Sequence, residues 1–138
     1  MNETMQGGTV RDWMTRQPVT VPEECPIETA LGHMRTAEIR HLLVIDGDRV
    51  TGIVSLRDVP RLLGDPARPG RLTEPVRRIM TEGPLTVPPE TPVLVAARLL
   101  LERKIGALPV RDGDAIVGIF TTSDALEALL ALAEGGRR

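Results

Sequence analysis

The chain repeats itself. Sliding the 138-residue sequence along its own length brings Met14-Thr15 onto Met80-Thr81, a shift of 66 positions (80 − 14). With no gap, the same shift aligns Val10-Arg11 with Val76-Arg77 and Thr20-Val21-Pro22 with Thr86-Val87-Pro88. It also aligns Pro26 with Pro92, Ala30 with Ala96 and Ile39 with Ile105. Further along, Asp46-Gly47-Asp48 meets Asp112-Gly113-Asp114, Gly52-Ile53 meets Gly118-Ile119, and Asp58 meets Asp124. One shift held over about fifty positions is the mark of a duplicated supersecondary unit, whose neighbours bury what one copy cannot bury alone.

Each copy reads strand, helix, strand, strand, helix. A short strand over 19–21 and 85–87 is closed by Pro22 and by Pro88-Pro89. A helix over 26–37 and 92–103 opens on a proline, which the first helical turn tolerates. In the second copy Val93, Ala96, Ala97, Leu100 and Leu101 recur at helical spacing. Two strand pairs, 42–45 with 50–54 and 108–110 with 116–120, bracket Asp-Gly, the signal of a type I′ hairpin turn. A second helix starts near Ser55 and near Thr121. In the first copy it meets Pro60, Gly64 and Asp65-Pro66 and is expected to be short or kinked; in the second it is long and apolar over 125–133. The expected domains are residues 10–64 and 76–134, joined by a turn-rich linker at 65–75. The fold class is α+β (mixed α/β): two tandem βαββα repeats, packed sheet to sheet with pseudo-two-fold symmetry.

Composition narrows the functions open to such a pair. Aromatic residues are 1% of the chain, one Trp and one Phe with no Tyr, so platforms for stacking single-stranded bases are missing. A net charge of −2 gives no general pull toward nucleic acid or anionic lipid, and neither is an expected partner. One Cys and two His make neither a disulfide nor a zinc set. No apolar run reaches bilayer length, and residues 1–8 are polar with no signal-peptide core, so a cytoplasmic location is expected. Phosphate-loop, His-Glu-x-x-His and Gly-x-Ser-x-Gly patterns are absent from the sequence. His33 and His41 have no counterpart in the second copy, Cys25 aligns with Thr91, and the Asp-Gly turns account for the paired aspartates. No catalytic and no metal-binding residues are expected, and the chain reads as a non-enzyme.

Three features resemble one family. Met-Thr precedes the first strand of each copy, and Leu108-Pro109-Val110 forms a later strand. Both copies end on Gly-x-x-Ser/Thr-x-x-Asp, as Gly52-Ile53-Val54-Ser55-Leu56-Arg57-Asp58 and Gly118-Ile119-Phe120-Thr121-Thr122-Ser123-Asp124. In order and duplication they resemble a tandem CBS (cystathionine-β-synthase-type) domain pair, or Bateman module, over about residues 10–133, here as a stand-alone CBS-domain protein. The resemblance implies a regulatory or sensor module. It would bind an adenosine-containing ligand (AMP, ADP, ATP or a related adenosyl compound) in the cleft between repeats. It would act as a homodimer through the repeat-end helices and control a separate, unidentified protein. The adenine nucleotide would be a regulatory ligand; no cofactor is expected.

Chemistry assigns roles to the matching positions. A carboxylate accepts both hydroxyls of a ribose diol, so Asp58 and Asp124 are the expected ribose acceptors, with Ser55 and Thr121 beside them. The resemblance places the base against Thr20, Ile39, Arg40 and His41 in the first copy and Thr86, Ile105, Gly106 and Ala107 in the second. Arg40 and Arg57 are the cations best aligned for phosphate. Each position also has a plain structural reading. Ser/Thr-x-x-Asp resembles a helix capping box, although Glu or Gln is the usual partner, and the apolar residues also suit a core. Because their second helices differ and Leu43 replaces the proline found at Pro109, the copies are unequal and at most one well-formed site per chain, in either copy, is expected. Leu126, Leu129, Leu130 and Leu132 cover more than one helix face, which points to burial against a second chain. The alternative function is a ligand-free CBS-pair dimer serving as a protein-interaction or scaffold module.

Overall fold

The structure, a computed structural model, describes residues 7–59 and 71–135. The bend expected at Pro60, Gly64 and Asp65-Pro66, and the linker over 65–70, lie outside these residues. Among the described residues the helices, in chain order, are α1 (Val10–Trp13), α2 (Ile27–Ala37), α3 (Val93–Arg103) and α4 (Thr122–Gly135). The strands are β1 (Thr15–Arg16), β2 (Thr20–Pro22), β3 (His41–Asp46), β4 (Arg49–Ser55), β5 (Thr81–Glu82), β6 (Ala107–Asp112) and β7 (Ala115–Thr121). A 3₁₀ turn, Leu56–Asp58, follows β4.

The long helices fall where the apolar spacing places them. Pro26 and Pro92 are extended N-caps (φ −60° and −56°), so their rings precede the first turn rather than sit inside it. Ile27, Ala30 and Met34 form the buried face of α2, and Val93, Ala96 and Leu100 that of α3, three or four residues apart as one helix face requires. Both helices end on a left-handed residue that is not glycine, Glu38 and Lys104, each with φ 56°. The chain then doubles back: the Ile39 N–H donates to Met34 O at 3.0 Å and the Ile105 N–H to Leu100 O at 3.2 Å.

The two hairpins form as expected but turn differently. Asp46 pairs with Arg49 and Asp112 with Ala115, leaving two-residue loops Gly47-Asp48 and Gly113-Asp114. Only the glycine of each loop has positive φ (62°), the pattern of a type II′ turn with glycine first, not the expected type I′. Each hairpin also carries a bulge at the same place, between Val44 and Ile45 and between Val110 and Arg111.

One sheet has the order β2-β3-β4-β5. The other is β6-β7-β1, and the strand expected at 85–87 shrinks to a single parallel bridge between Val87 and Val110. The cause is one residue. In the first sheet the Leu43 N–H donates to Val19 O at 3.2 Å. Pro109 stands at the position of Leu43 and has no N–H to give, so the matching rung cannot form.

The folded units are offset from the order of the copies. Residues 19–59 with 71–84 form one compact unit, and residues 85–135 form the other together with 7–18. The opening segment of each copy therefore completes the opposite one. In the unit of the second copy the Val10 N–H donates to Thr91 O (2.8 Å), the Val93 N–H donates to Gly8 O (3.0 Å), and β1 pairs with β7. In the unit of the first copy the Val76 N–H donates to Cys25 O (2.8 Å), the Ile27 N–H donates to Glu74 O (2.9 Å), and β5 pairs with β4. Ion pairs repeat the scheme, Arg11 to Glu90 at 2.8 Å and Arg77 to Glu24 at 2.6 Å. Exposed as these are, they contribute little to stability.

The Met-Thr and Gly-Ile motifs gain a meaning from this exchange. Met80 lies against Gly52 and Met14 against Gly118, where a Cβ would collide with the methionine side chain. Each unit has its own hydrophobic core, Ile27, Met34, Leu42, Val44 and Val54 in one, and Val10, Leu108, Val110 and Phe120 in the other.

Candidate functional site

In each unit the second hairpin strand ends beside the start of the first, at a strand-to-helix corner. β3 and β4 pair His41 with Ser55, and β6 and β7 pair Ala107 with Thr121. The next residue clamps the corner: the Leu56 N–H donates to Arg40 O at 2.7 Å, and the Thr122 N–H donates to Gly106 O at 3.0 Å. The register thus collects Arg40, His41, Ser55, Arg57 and Asp58 in one unit. It collects Gly106, Ala107, Thr121 and Asp124 in the other.

Both aspartates act as caps. The Ser55 N–H donates to Asp58 Oδ2 at 3.0 Å, and the Arg57 N–H donates to Ser55 Oγ at 3.1 Å. At the second corner the Thr121 N–H and hydroxyl donate to Asp124 Oδ2 at 2.9 and 3.1 Å, while the Asp124 N–H reaches Thr121 Oγ1 at 3.3 Å. The Thr15 hydroxyl, from β1, lies 3.4 Å from both Asp124 oxygens, a long contact. Asp124 is buried and Asp58 half-buried.

The remaining expected positions are spread around these corners. Thr20 is exposed on β2 opposite Leu43, one strand away from the first corner. Thr86 is half-buried just before the bridge at Val87. Ile39 and Ile105 follow the left-handed ends of α2 and α3, Ile39 half-buried and Ile105 exposed. Arg40 and Arg57 are exposed.

Charge separates the corners. The segments that meet at the first corner carry His41, Arg40 and Arg57, whereas the same positions in the second copy are Ala107, Gly106 and Ser123. Burial, together with the positive charge of Arg57 and Arg40, holds the His41 imidazolium below the usual histidine range, against a smaller opposite pull from Asp58. Burial likewise pushes the Cys25 thiol up, which keeps it protonated and unreactive. Among the described residues, no group of three or more His, Cys, Asp or Glu is placed to hold a metal ion. No described helix is long and apolar enough to cross a membrane.

This duplicated corner has a known setting. The sequence matches the CBS domain over residues 10–65 and again over residues 76–131. The chain belongs to the CBS domain family. A CBS domain-containing protein of Dictyostelium discoideum is 30% identical over 91% of this chain and 93% of its own length. Among solved structures, CBSX2 in complex with AMP is 33% identical, with a TM-score of 0.78 over 91% of this chain and 98% of that one. A protein assigned to acetoin utilization, AcuB of Vibrio cholerae, is 30% identical with a TM-score of 0.77 over 91% of this chain and 93% of that one. The mixed helix-and-strand CBS fold is shared with both solved structures.

Enzymes among the relatives are much longer than this CBS pair. The chain spans 22% of the inosine-5'-monophosphate dehydrogenase of Korarchaeum cryptofilum and 23% of the homoserine O-acetyltransferase of Methanocorpusculum labreanum.

Two contributions to the corners escape sequence reasoning. Thr15 reaches Asp124 because β1, from the first copy, folds into the unit of the second, and Met14 and Met80 explain the repeated glycines. The duplicated Met-Thr marked both, but a repeat gives the order of motifs and not their partners in space.

Proposed function

We propose that this CBS pair is a regulatory sensor, not a catalyst, and that it binds an adenosine-containing ligand at its Ser/Thr-x-x-Asp corners. The observation that carries this reading is the likeness, 33% identical over 91% of the chain, to a CBS-pair protein crystallised with AMP. The corner chemistry agrees with it. A carboxylate that accepts from backbone N–H and a neighbouring hydroxyl can accept from a ribose diol instead, at the loss of a cap that a bound ligand compensates. Arg40 and Arg57 would meet a phosphate, and Ile39, Gly106 and Ala107 supply small or apolar lining near the corners. The module is read as regulatory because the region it shares with the enzymes above is a minor part of each.

The occupied state would be passed on by a homodimer to a separate protein. On α4, Ala125 and Ala128 are buried while Leu126, Leu129 and Leu130 are 54%, 44% and 60% exposed. A second copy would cover that stripe.

Thermal-shift measurements with AMP, ADP, ATP, S-adenosylmethionine and NAD test the reading. A ligand bound only by the folded form stabilises it by about 2.7 kcal/mol at a hundredfold excess over Kd, which raises Tm by several degrees. No shift with any of the five at millimolar concentration favours the second reading, a ligand-free scaffold dimer. One observation supports that alternative: both aspartates are already engaged as caps.

A further inference from the structure

The chain leaves one unit for the other at the same bend in both copies. One crossing follows Gln17-Pro18 and the other follows Gly83-Pro84. Positions 17 and 83 share a backbone φ of 55°, in the left-handed region. Glycine meets no Cβ clash there, whereas glutamine does, and the proline that follows favours an extended residue ahead of it. The bend at Gln17 therefore holds strain that Gly83 avoids, and straightening the hinge would release it.

Ahead of this hinge lies a segment docked on the second copy. The Val10 and Arg11 N–H groups donate to Thr91 O and Pro89 O at 2.8 and 2.9 Å. Thr15 and Arg16 pair with Ile119 and Gly118, and Val10 is buried in one core with Leu108, Val110 and Phe120. The receiving surface thus fits this one stretch of sequence, and a second copy of the chain carries the same stretch.

We propose that residues 7–18 exchange between two copies of this chain, hinged at Gln17-Pro18, so that each second unit is completed by the segment of its partner. Exchange preserves each of the contacts above, which is why such swaps are a low-cost route to a dimer. Two things change. Docking of a tethered segment, with an effective concentration of about millimolar for a short link, becomes docking between chains. Against that, two strained bends become extended, and a strained short hinge favours the swapped form. In the swapped dimer the partner's Thr15 stands beside Asp124, so the second corner of each chain is built from two chains. The proposal is independent of the ligand reading and of the exposed stripe on α4.

Cross-linking reads the exchange directly. Thr15 and Ile119 are register partners in the antiparallel β1–β7 pair, close enough for a disulfide in Thr15→Cys/Ile119→Cys. Cys25 is buried and its thiol stays protonated, which keeps it out of the reaction. The full chain is incubated from micromolar to millimolar concentration until the distribution stops changing, then oxidised and separated without reductant. Expected are intrachain links at low concentration and a growing share of covalently joined dimers as concentration rises. Adding Gln17→Gly, at an exposed position, should cut that share severalfold because the closed bend loses its strain. Intrachain links alone at every concentration overturn the proposal, including in a dimer joined through α4. An interchain share unchanged by Gln17→Gly overturns it as well. Should the first pair disturb folding, Arg11→Cys/Glu90→Cys moves the thiols to the surface, where the parent side chains meet at 2.8 Å. A short bis-maleimide then separates the same two outcomes.

Discussion

At position 118 the fold has room for a hydrogen atom and little else. A Cβ there would sit 2.6 Å from Met14 Sδ and 2.8 Å from the backbone oxygen of Thr15. At Gly52 the colliding atoms all belong to the Met80 side chain. A thioether chain can swing away, whereas a backbone carbonyl fixed in the β1–β7 ladder cannot. Gly118→Ala should therefore destabilise by about 1–3 kcal/mol, the usual range for overpacking, and Gly52→Ala by less, as read from urea midpoints. His41 makes stability itself depend on pH. Its folded-state pKa is depressed, so the unfolded chain binds more protons once pH drops below the ordinary value of about 6.5. Its contribution is complete above that value and is lost as pH falls through the lower, folded one. The drop in unfolding midpoint from pH 7.5 to 5.5 should be smaller in His41→Ala than in the parent.

Among the elements, the corners separate structural work from availability for a ligand. Asp124 caps a fourteen-residue helix, is buried, and takes both the N–H and the hydroxyl of Thr121. Asp58 closes a three-residue 3₁₀ turn, is half-buried, and takes the N–H of Ser55. Asp124→Ala should cost about 1–2 kcal/mol, toward the upper end for a lost cap, and Asp58→Ala less, checked by chemical denaturation without ligand. Local signals made much of this scale legible. The apolar spacing of Ile27, Ala30 and Met34 fixes a helix face, and Asp-Gly between apolar runs fixes a hairpin. The turn type is not legible locally: positive φ falls on the glycine alone and the pairing begins at Asp46, one residue later than a type I′ Asp-Gly loop requires. The strand expected at 85–87 shrinks to a bridge because its fate depends on Pro109, more than twenty residues away in the chain. The corner was only half legible: Ser/Thr-x-x-Asp spells a cap and a diol acceptor with the same residues at the same spacing.

Over the whole molecule, the duplication legible in sequence conceals an exchange of segments. Val10 and Met14 are buried in the same core as Leu108 and Phe120, and β1 covers the open edge of β7. A chain lacking residues 1–18 should keep the first unit, which has Val76 and β5 in the equivalent places, and lose protection in the second. Hydrogen exchange by mass spectrometry would report this as rapid labelling of peptides from 107–121 with 41–55 unchanged. The same exchange dictates an order of events on the ribosome. The first unit has all its parts once residue 84 has left the exit tunnel. Thr15 must wait for Ile119, and at about 5–20 residues per second that wait is roughly 5–20 seconds. Throughout it Val10, Trp13 and Met14 have no native cover, so a stretch made well ahead of its partners stays exposed until the second unit is complete.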